Sequence, residues 1–143
     1  MSCNGNGLCF NFDTTSPMCP SSKITRDRRH SPKGRAGLVR EWLRLLAEQG
    51  VDATSLEKNG CSHSLLDRIK FSWGKHQGEY DYSHEVKEAM DGCLACKACS
   101  SQCPIKVDVP GFRARFLNIY HQRYLRPASD YLVANVEQSS QWM

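Results

Sequence analysis

The residues with the clearest chemical potential lie at 93–104, where the sequence reads CLACKACSSQCP. This segment has the spacing C-x2-C-x2-C-x3-C-P, which bacterial ferredoxins use to bind cubane iron-sulfur clusters. Cysteines separated by two residues can bind one cluster only if the backbone coils tightly around it. The small alanines between them leave room for that coil. The spacing therefore predicts a 4Fe-4S cluster bound by Cys93, Cys96 and Cys99.

Other uses of closely spaced cysteines fit this segment less well. A c-type haem needs CxxCH, but Lys97 follows Cys96 and Ser100 follows Cys99. A thioredoxin-like dithiol needs a βαβ pattern around it, and none surrounds this segment. Structural zinc usually takes separated ligand pairs rather than one overlapping run. A zinc-stabilised interaction module without redox activity is the main alternative, and an iron or redox sensor that unfolds on cluster loss is a third.

A second, incomplete cysteine set lies at the N-terminus. Residues 3–9 read CNGNGLC, in which Asn6 stands where a ferredoxin motif has its middle cysteine. The glycines would let the backbone approach a cluster closely. Cys19, followed by proline, supplies a displaced fourth cysteine.

In two-cluster ferredoxins the fourth cysteine of each motif binds the other cluster. If the ligands cross in the same way, Cys19 completes the first site, and Cys103 joins Cys3 and Cys9 at the second. That second site would have three thiolates. It would suit a 3Fe-4S cluster, or a 4Fe-4S cluster whose fourth iron takes another ligand such as solvent or Asn6.

The remaining candidate ligands are predicted to play structural roles. Cys61 has no cysteine partner at ligand spacing, so we expect it to be a small buried side chain. The histidines are expected at polar surfaces and helix ends.

Composition limits the class of protein. The chain has 143 residues and is 40% hydrophobic, which fits one small domain. It lacks an apolar run long enough to span a bilayer and lacks a signal peptide pattern, which favours a cytoplasmic protein with reduced thiols. Its net charge is +4, and bound anionic clusters would bring this close to zero. The basic run at 23–35 has no interleaved aromatic residues, so nucleic acid is not an expected partner.

Helical patterns frame the cysteine segments. The best helix has Ser31 as its N-cap, Pro32 at its first position and Gly50 as its stop. Its apolar stripe should face a core: Leu38, Trp42, Leu45 and Leu46. Further helices are predicted at 64–71 and 83–90, from Asp108 onward, and as one or two turns at 127–137, with loops at 1–22 and 73–82. The sequence has no strand pattern strong enough to build a sheet.

The cysteine sets and several short motifs between them together resemble a known family. The motifs are CNGNGLC at 3–9, MCP at 18–20, RD at 26–27, HSPKGRA at 30–36, the run at 93–104 and VDV at 107–109. This combination resembles the iron-sulfur portion of FAD-linked oxidases of the D-lactate and D-2-hydroxyglutarate dehydrogenase type. It is more distantly similar to the iron-sulfur subunits of anaerobic glycerol-3-phosphate dehydrogenase, glycolate oxidase and succinate dehydrogenase.

The resemblance implies an all-α, helical ferredoxin fold over residues 1–143, as one domain of a larger enzyme. It implies that electrons arrive from a flavin that oxidises a D-2-hydroxy acid and leave for an acceptor that the sequence does not identify. The partner would be an FAD-binding dehydrogenase domain or subunit, which could hold the chain at a membrane surface. No G-x-G-x-x-G motif follows a strand in this chain, so no catalytic residue is assigned to it. Lys97, Lys106 and the basic run at 26–35 would favour a reduced cluster or steer an acidic partner, unless they serve solubility alone.

Overall fold

The computed structural model describes residues 3–59 and 63–135, and these residues form helices joined by loops, without a β-strand. The predicted all-α fold is therefore confirmed. The α-helices are α1 (Pro20–Thr25), α2 (Pro32–Glu48), α3 (Ala53–Asn59), α4 (Leu65–His76), α5 (Tyr82–Asp91), α6 (Ala98–Gln102), α7 (Val109–Arg123) and α8 (Ala128–Ala134), and a short 3-10 helix covers Arg28–His30.

The ends of α2 follow the predicted capping signals. The Ser31 hydroxyl accepts a hydrogen bond from the backbone N–H of Gly34 at 3.1 Å, and Pro32 occupies the first helical position. At the other end Gly50 adopts a φ of +72°, a left-handed conformation that glycine takes without steric cost. Both predicted boundaries of this helix are confirmed.

The core forms where α2, α5 and α7 meet. Trp42 of α2 is buried, and its ring packs edge-on against Phe116 of α7 with 4.9 Å between the ring centroids. Val86 and Met90 of α5 are fully buried in the same cluster. The predicted core position of Trp42 is confirmed, and this core supports the loops that carry the cysteines.

The prediction for residues 64–82 was partly wrong. Helix α4 does not end near Phe71 but continues to His76, so the first part of the expected loop is helical. A glycine inside a helix costs only about 1 kcal/mol, and tertiary contacts outweigh that cost at Gly74. One such contact is a 2.9 Å hydrogen bond from Lys75 Nζ to the Tyr120 hydroxyl.

Three short helices were missed because each has too few residues to show a period. These are α1, α3 and α6, and α6 begins inside the cysteine run. The predicted turn at 127–137 is confirmed as α8. The expectations for Cys61 and for the last residues of the chain lie outside the described residues. In the described part of the chain, no helix is both long and apolar enough to cross a membrane.

Candidate metal centre

The four cysteines predicted to form the first site line one small cavity: Cys19, Cys93, Cys96 and Cys99. The loop at 93–97 supplies two of them, the first turn of α6 supplies a third, and the residue before α1 supplies the fourth. The structure therefore brings a cysteine from the N-terminal set to the C-terminal motif, as the crossed arrangement requires. The role of these cysteines as ligands stays a prediction.

The four thiols differ in their access to solvent. Cys19 and Cys99 are buried, with 8% and 6% of their surface exposed, whereas Cys93 is half-buried and Cys96 is exposed. Leu94, between the last two, is also largely exposed. The cavity thus has a closed side against the core and an open side at the 93–97 loop.

The backbone around the cavity adopts conformations that residues other than glycine rarely adopt. Cys19, Ala95 and Lys97 have φ values of 37°, 52° and 58°, in the left-handed region. For residues other than glycine, such a conformation costs on the order of 1 kcal/mol or more and persists where the surrounding structure imposes it. Here it turns the chain around the cavity.

The thiols around the cavity affect one another electrostatically. Burial raises the pKa of the Cys99 thiol, a hydrogen bond from the Val109 N–H acts in the opposite direction, and the nearby Cys93, Cys19 and Cys96 raise the pKa further. Several thiolates could not remain together in this setting without a compensating positive charge. Bound metal ions supply such a charge, because thiolates are their ligands.

A buried arginine lies beside these thiols. Arg35 of α2 is only 1% exposed, and its Nη1 lies 3.6 Å from the Sγ of Cys19. Its Nε donates to the carbonyl oxygen of Ala89 at 2.7 Å, and its Nη2 donates to the Ser21 hydroxyl at 2.9 Å. None of the ion pairs formed within the described residues includes this guanidinium.

These features fit an anionic iron-sulfur cluster. The cavity has four cysteines on its lining, an arginine that pairs with no carboxylate among the described residues, and an N–H donor to one sulfur. Among residues 3–59 and 63–135, no three His, Cys, Asp or Glu side chains are gathered as ligands of one metal ion. The cavity between these thiols is the place where such a cluster would lie.

Comparison with known families shows which family the chain belongs to. Residues 1–107 match the family described as a 4Fe-4S dicluster domain. The chain belongs to this family. Its cofactors are therefore iron-sulfur clusters, and neither this match nor the relatives below support a zinc-stabilised module.

Relatives of this dicluster domain are larger proteins. The chain is 68% identical over 142 residues to the D-2-hydroxyglutarate dehydrogenases of Pantoea ananatis and Escherichia coli, alignments that cover 96% of the chain and 14% of each relative. It is 56% identical over 146 residues to the D-2-hydroxyglutarate dehydrogenase of Haemophilus influenzae, covering 100% of the chain and 14% of that protein. The resemblance inferred from the sequence is thus confirmed. No solved structure matches the chain.

The cysteines of the second predicted set do not line the cavity of the first site. Cys3 is exposed, and its Sγ accepts a 3.3 Å hydrogen bond from the N–H of Gly5. Cys9 is half-buried, as is Cys103, which ends α6 and packs against the core. A Cβ at Gly5 would have no protein atom within 4 Å, so this side of the loop is open, and its close approach to a cluster stays a prediction. A second cluster bound by Cys3, Cys9 and Cys103 stays a prediction.

The sequence analysis did not predict the burial of Arg35, which it grouped with the basic run at 26–35 as charges that favour a reduced cluster, steer an acidic partner or serve solubility. A signal was present, because Arg35 precedes Leu38 and Trp42 by three and seven residues and so shares the apolar stripe of α2. A charged residue on such a stripe is buried and needs a compensating partner.

A larger cavity of about 520 Å³ lies elsewhere in the dicluster domain and has no cysteine on its lining. At its wall Lys75 donates to the Tyr120 hydroxyl at 2.9 Å, and that hydroxyl lies 3.0 Å from Nδ1 of His84. Because the lysine can only donate, the tyrosine is free to donate to a neutral histidine.

Proposed function

We propose that this dicluster domain is the electron-relay part of an FAD-linked dehydrogenase that oxidises a D-2-hydroxy acid. The names of its relatives support D-2-hydroxyglutarate as the substrate. D-lactate is the related alternative that the sequence resemblance implies. The observation that carries the proposal is the set of four cysteines around one cavity, beside a buried guanidinium.

Each protein group at the site has its own role in the proposed electron relay. Cys19, Cys93, Cys96 and Cys99 would hold the first cluster, and the Val109 N–H would stabilise the charge on one of its sulfurs. When bound, a 4Fe-4S cluster accepts and releases one electron at a time. Burial of Cys19 and Cys99 excludes water from the core side, which leaves the exposed 93–97 loop as the side for electron exchange.

The second cysteine set would extend this relay. Cys3, Cys9 and Cys103 would bind a 3Fe-4S cluster, or a 4Fe-4S cluster with one ligand other than cysteine. Two clusters close together shorten each electron step between the flavin and the acceptor.

Oxidation of the substrate belongs to the rest of the enzyme. We assign FAD and the hydroxy acid to a dehydrogenase domain or subunit that is the partner of residues 1–143. We place the assembled enzyme in the cytoplasm or at a membrane surface through that partner.

The relay can be tested in the proposed enzyme, in which the chain is assembled with its FAD-binding domain or subunit. D-2-hydroxyglutarate is added without oxygen, and the flavin absorbance and the EPR signal of reduced clusters are followed together, with D-lactate in a parallel sample. We expect the flavin to be reduced first and the cluster signal to follow.

A variant separates substrate oxidation from the relay. Cys99→Ser should still reduce its flavin with substrate but should lose the first-cluster signal and pass electrons onward at least about tenfold more slowly. Arg40→Gln, an exposed change on α2, is the control and should behave as wild type. A wild-type cluster that stays oxidised while the flavin is fully reduced would contradict the proposal.

A further inference from the structure

The structure assigns a tuning role to Arg35: we infer that its guanidinium raises the reduction potential of the cluster bound at Cys19. This inference rests on the proposed function, since it concerns the cluster that the relay requires. Arg35 acts through Cys19, so it is a positioning residue and takes no part in bond making.

The first argument is burial of an unbalanced charge. A guanidinium is protonated at all relevant pH values, and removing it from water is costly unless an anion balances it. Arg35 is 1% exposed, and its described partners are a carbonyl oxygen, a hydroxyl and the Cys19 sulfur. The cysteine sulfur is the one partner among these that becomes anionic when it binds iron.

The second argument is fixed orientation. Hydrogen bonds to Ala89 and Ser21 hold two of the guanidinium nitrogens, and they leave Nη1 directed at the sulfur of Cys19. Gly92 lies against the same group, since a Cβ at that position would be 3.3 Å from Nη2. The guanidinium is therefore confined, and it does not have to reorganise when the charge on the cluster changes.

The third argument is the sign of the charge. Reduction adds one electron to the cluster and moves no proton at Arg35, so the attraction between guanidinium and cluster grows on reduction. The nearby Lys97 also lines the cavity but is exposed, so water and salt screen its charge. The buried cation should therefore dominate the stabilisation of the reduced state.

The test is a potentiometric titration of the holo-protein with dithionite as reductant, monitored by EPR. For Arg35→Gln we expect the reduced-to-oxidised ratio at the wild-type midpoint to fall about tenfold, which corresponds to ~59 mV for a one-electron couple. Arg35→Lys keeps a positive charge but loses the guanidinium that two hydrogen bonds hold in place. Its midpoint should therefore lie between those of wild type and Arg35→Gln. Arg40→Gln, on the exposed face of the same helix, should leave the midpoint unchanged.

Iron content and helical circular dichroism are measured first, so that each outcome decides a question. If wild type contains no iron and sulfide, the proposed function fails. If wild type contains the cluster and the Arg35→Gln midpoint is unchanged, the tuning role alone is wrong. If Arg35→Gln takes up no iron, Arg35→Lys decides: a lowered midpoint at full iron content supports the role, and an unchanged midpoint overturns it.

Discussion

Among individual residues, Cys19 changes the interpretation of the ferredoxin-like run most. The run at 93–104 contains four cysteines and could form a self-contained site with Cys103 as its last ligand. Instead Cys19 is buried beside Cys99 on the same cavity, whereas Cys103 lies at the far end of α6. The arrangement favours crossed ligands over a self-contained motif.

Substitution of these two cysteines separates the crossed and self-contained arrangements. Cys19→Ser should lose the first cluster, with its iron, because serine is a poor ligand for iron in such clusters. Cys103→Ser should keep the first cluster and lose iron only from the second site. Iron counting with EPR after reduction measures both effects, and the reverse pattern would show that the run at 93–104 is self-contained.

Two further cysteine variants complete the comparison. Cys96→Ser should also lose the first cluster, whereas Cys61→Ser should leave the iron content unchanged because that residue has no predicted role as a ligand. Lower iron content in Cys61→Ser would show that this cysteine is a ligand.

At the scale of helices, the packing of the 3-10 helix against the start of α2 positions Arg35. The Ser31 hydroxyl donates to the carbonyl oxygen of Arg28 at 2.7 Å, so the 3-10 helix and the N-cap of α2 form one unit. Gly34 lies beneath this unit, and a Cβ there would overlap the Arg28 carbonyl oxygen and approach that of Arg29 to 2.8 Å. Only glycine fits this contact without movement of the backbone.

Gly34→Ala should therefore destabilise the protein by roughly 2 kcal/mol, because backbone atoms must shift to admit the methyl group. Gly37→Ala is a matched control on the same helix, since a Cβ there has nothing within 4 Å. That control should be neutral or stabilising by about 0.5–1 kcal/mol, because alanine favours helix. Denaturation followed by circular dichroism measures both, and equal effects would contradict the proposed packing.

How far the helices could be predicted depends on their length and capping. Helix α2 has a serine cap, a proline start and an apolar stripe, and its limits followed from the sequence. Helix α4 extends past Gly74 because of a contact with Tyr120, a residue distant in sequence. The cysteines could be grouped by spacing, and the apolar stripe of α2 marks Arg35 as inward-facing. Its partners Ser21, Ala89 and Cys19 depend on how α1, α2 and α5 pack, which local patterns do not specify.

At the scale of the whole molecule, α4, α5 and α7 are joined by a partly buried polar network. His84 of α5 lies 3.0 Å from the Tyr120 hydroxyl of α7, which also accepts from Lys75 of α4. Burial lowers the pKa of His84, and the nearby Lys75 lowers it further. Burial also raises the pKa of Tyr120 to about 12, so its hydroxyl remains available as a donor. The lowered pKa favours a neutral His84 in the folded protein.

The network predicts a pH dependence of stability. The folded pKa of His84 is below its usual 6.5, so the unfolded state binds more protons as the pH falls through that value. The free energy of unfolding should be nearly constant above about pH 7 and should decrease below 6.5. Thermal midpoints at several pH values, with iron content monitored, measure this.

Two histidine variants test whether His84 causes this decrease in stability. His84→Gln should make the decrease shallower, whereas His76→Gln, an exposed change at the end of α4, should leave it unchanged. His121 contributes in the same direction, since burial lowers its pKa as well, so part of the decrease should persist in His84→Gln. An unaltered pH profile in His84→Gln would show that the folded protein does not favour the neutral form of His84.

The central claim is that this chain holds a redox-active 4Fe-4S cluster at Cys19, Cys93, Cys96 and Cys99. The most direct measurement is the iron and acid-labile sulfide content of anaerobically prepared protein, combined with EPR before and after reduction by dithionite. We expect at least about four irons and four sulfides per chain, about seven or eight irons if the second site is filled, and a signal that changes on reduction. Zinc without sulfide, in a colourless and EPR-silent protein, would contradict the claim.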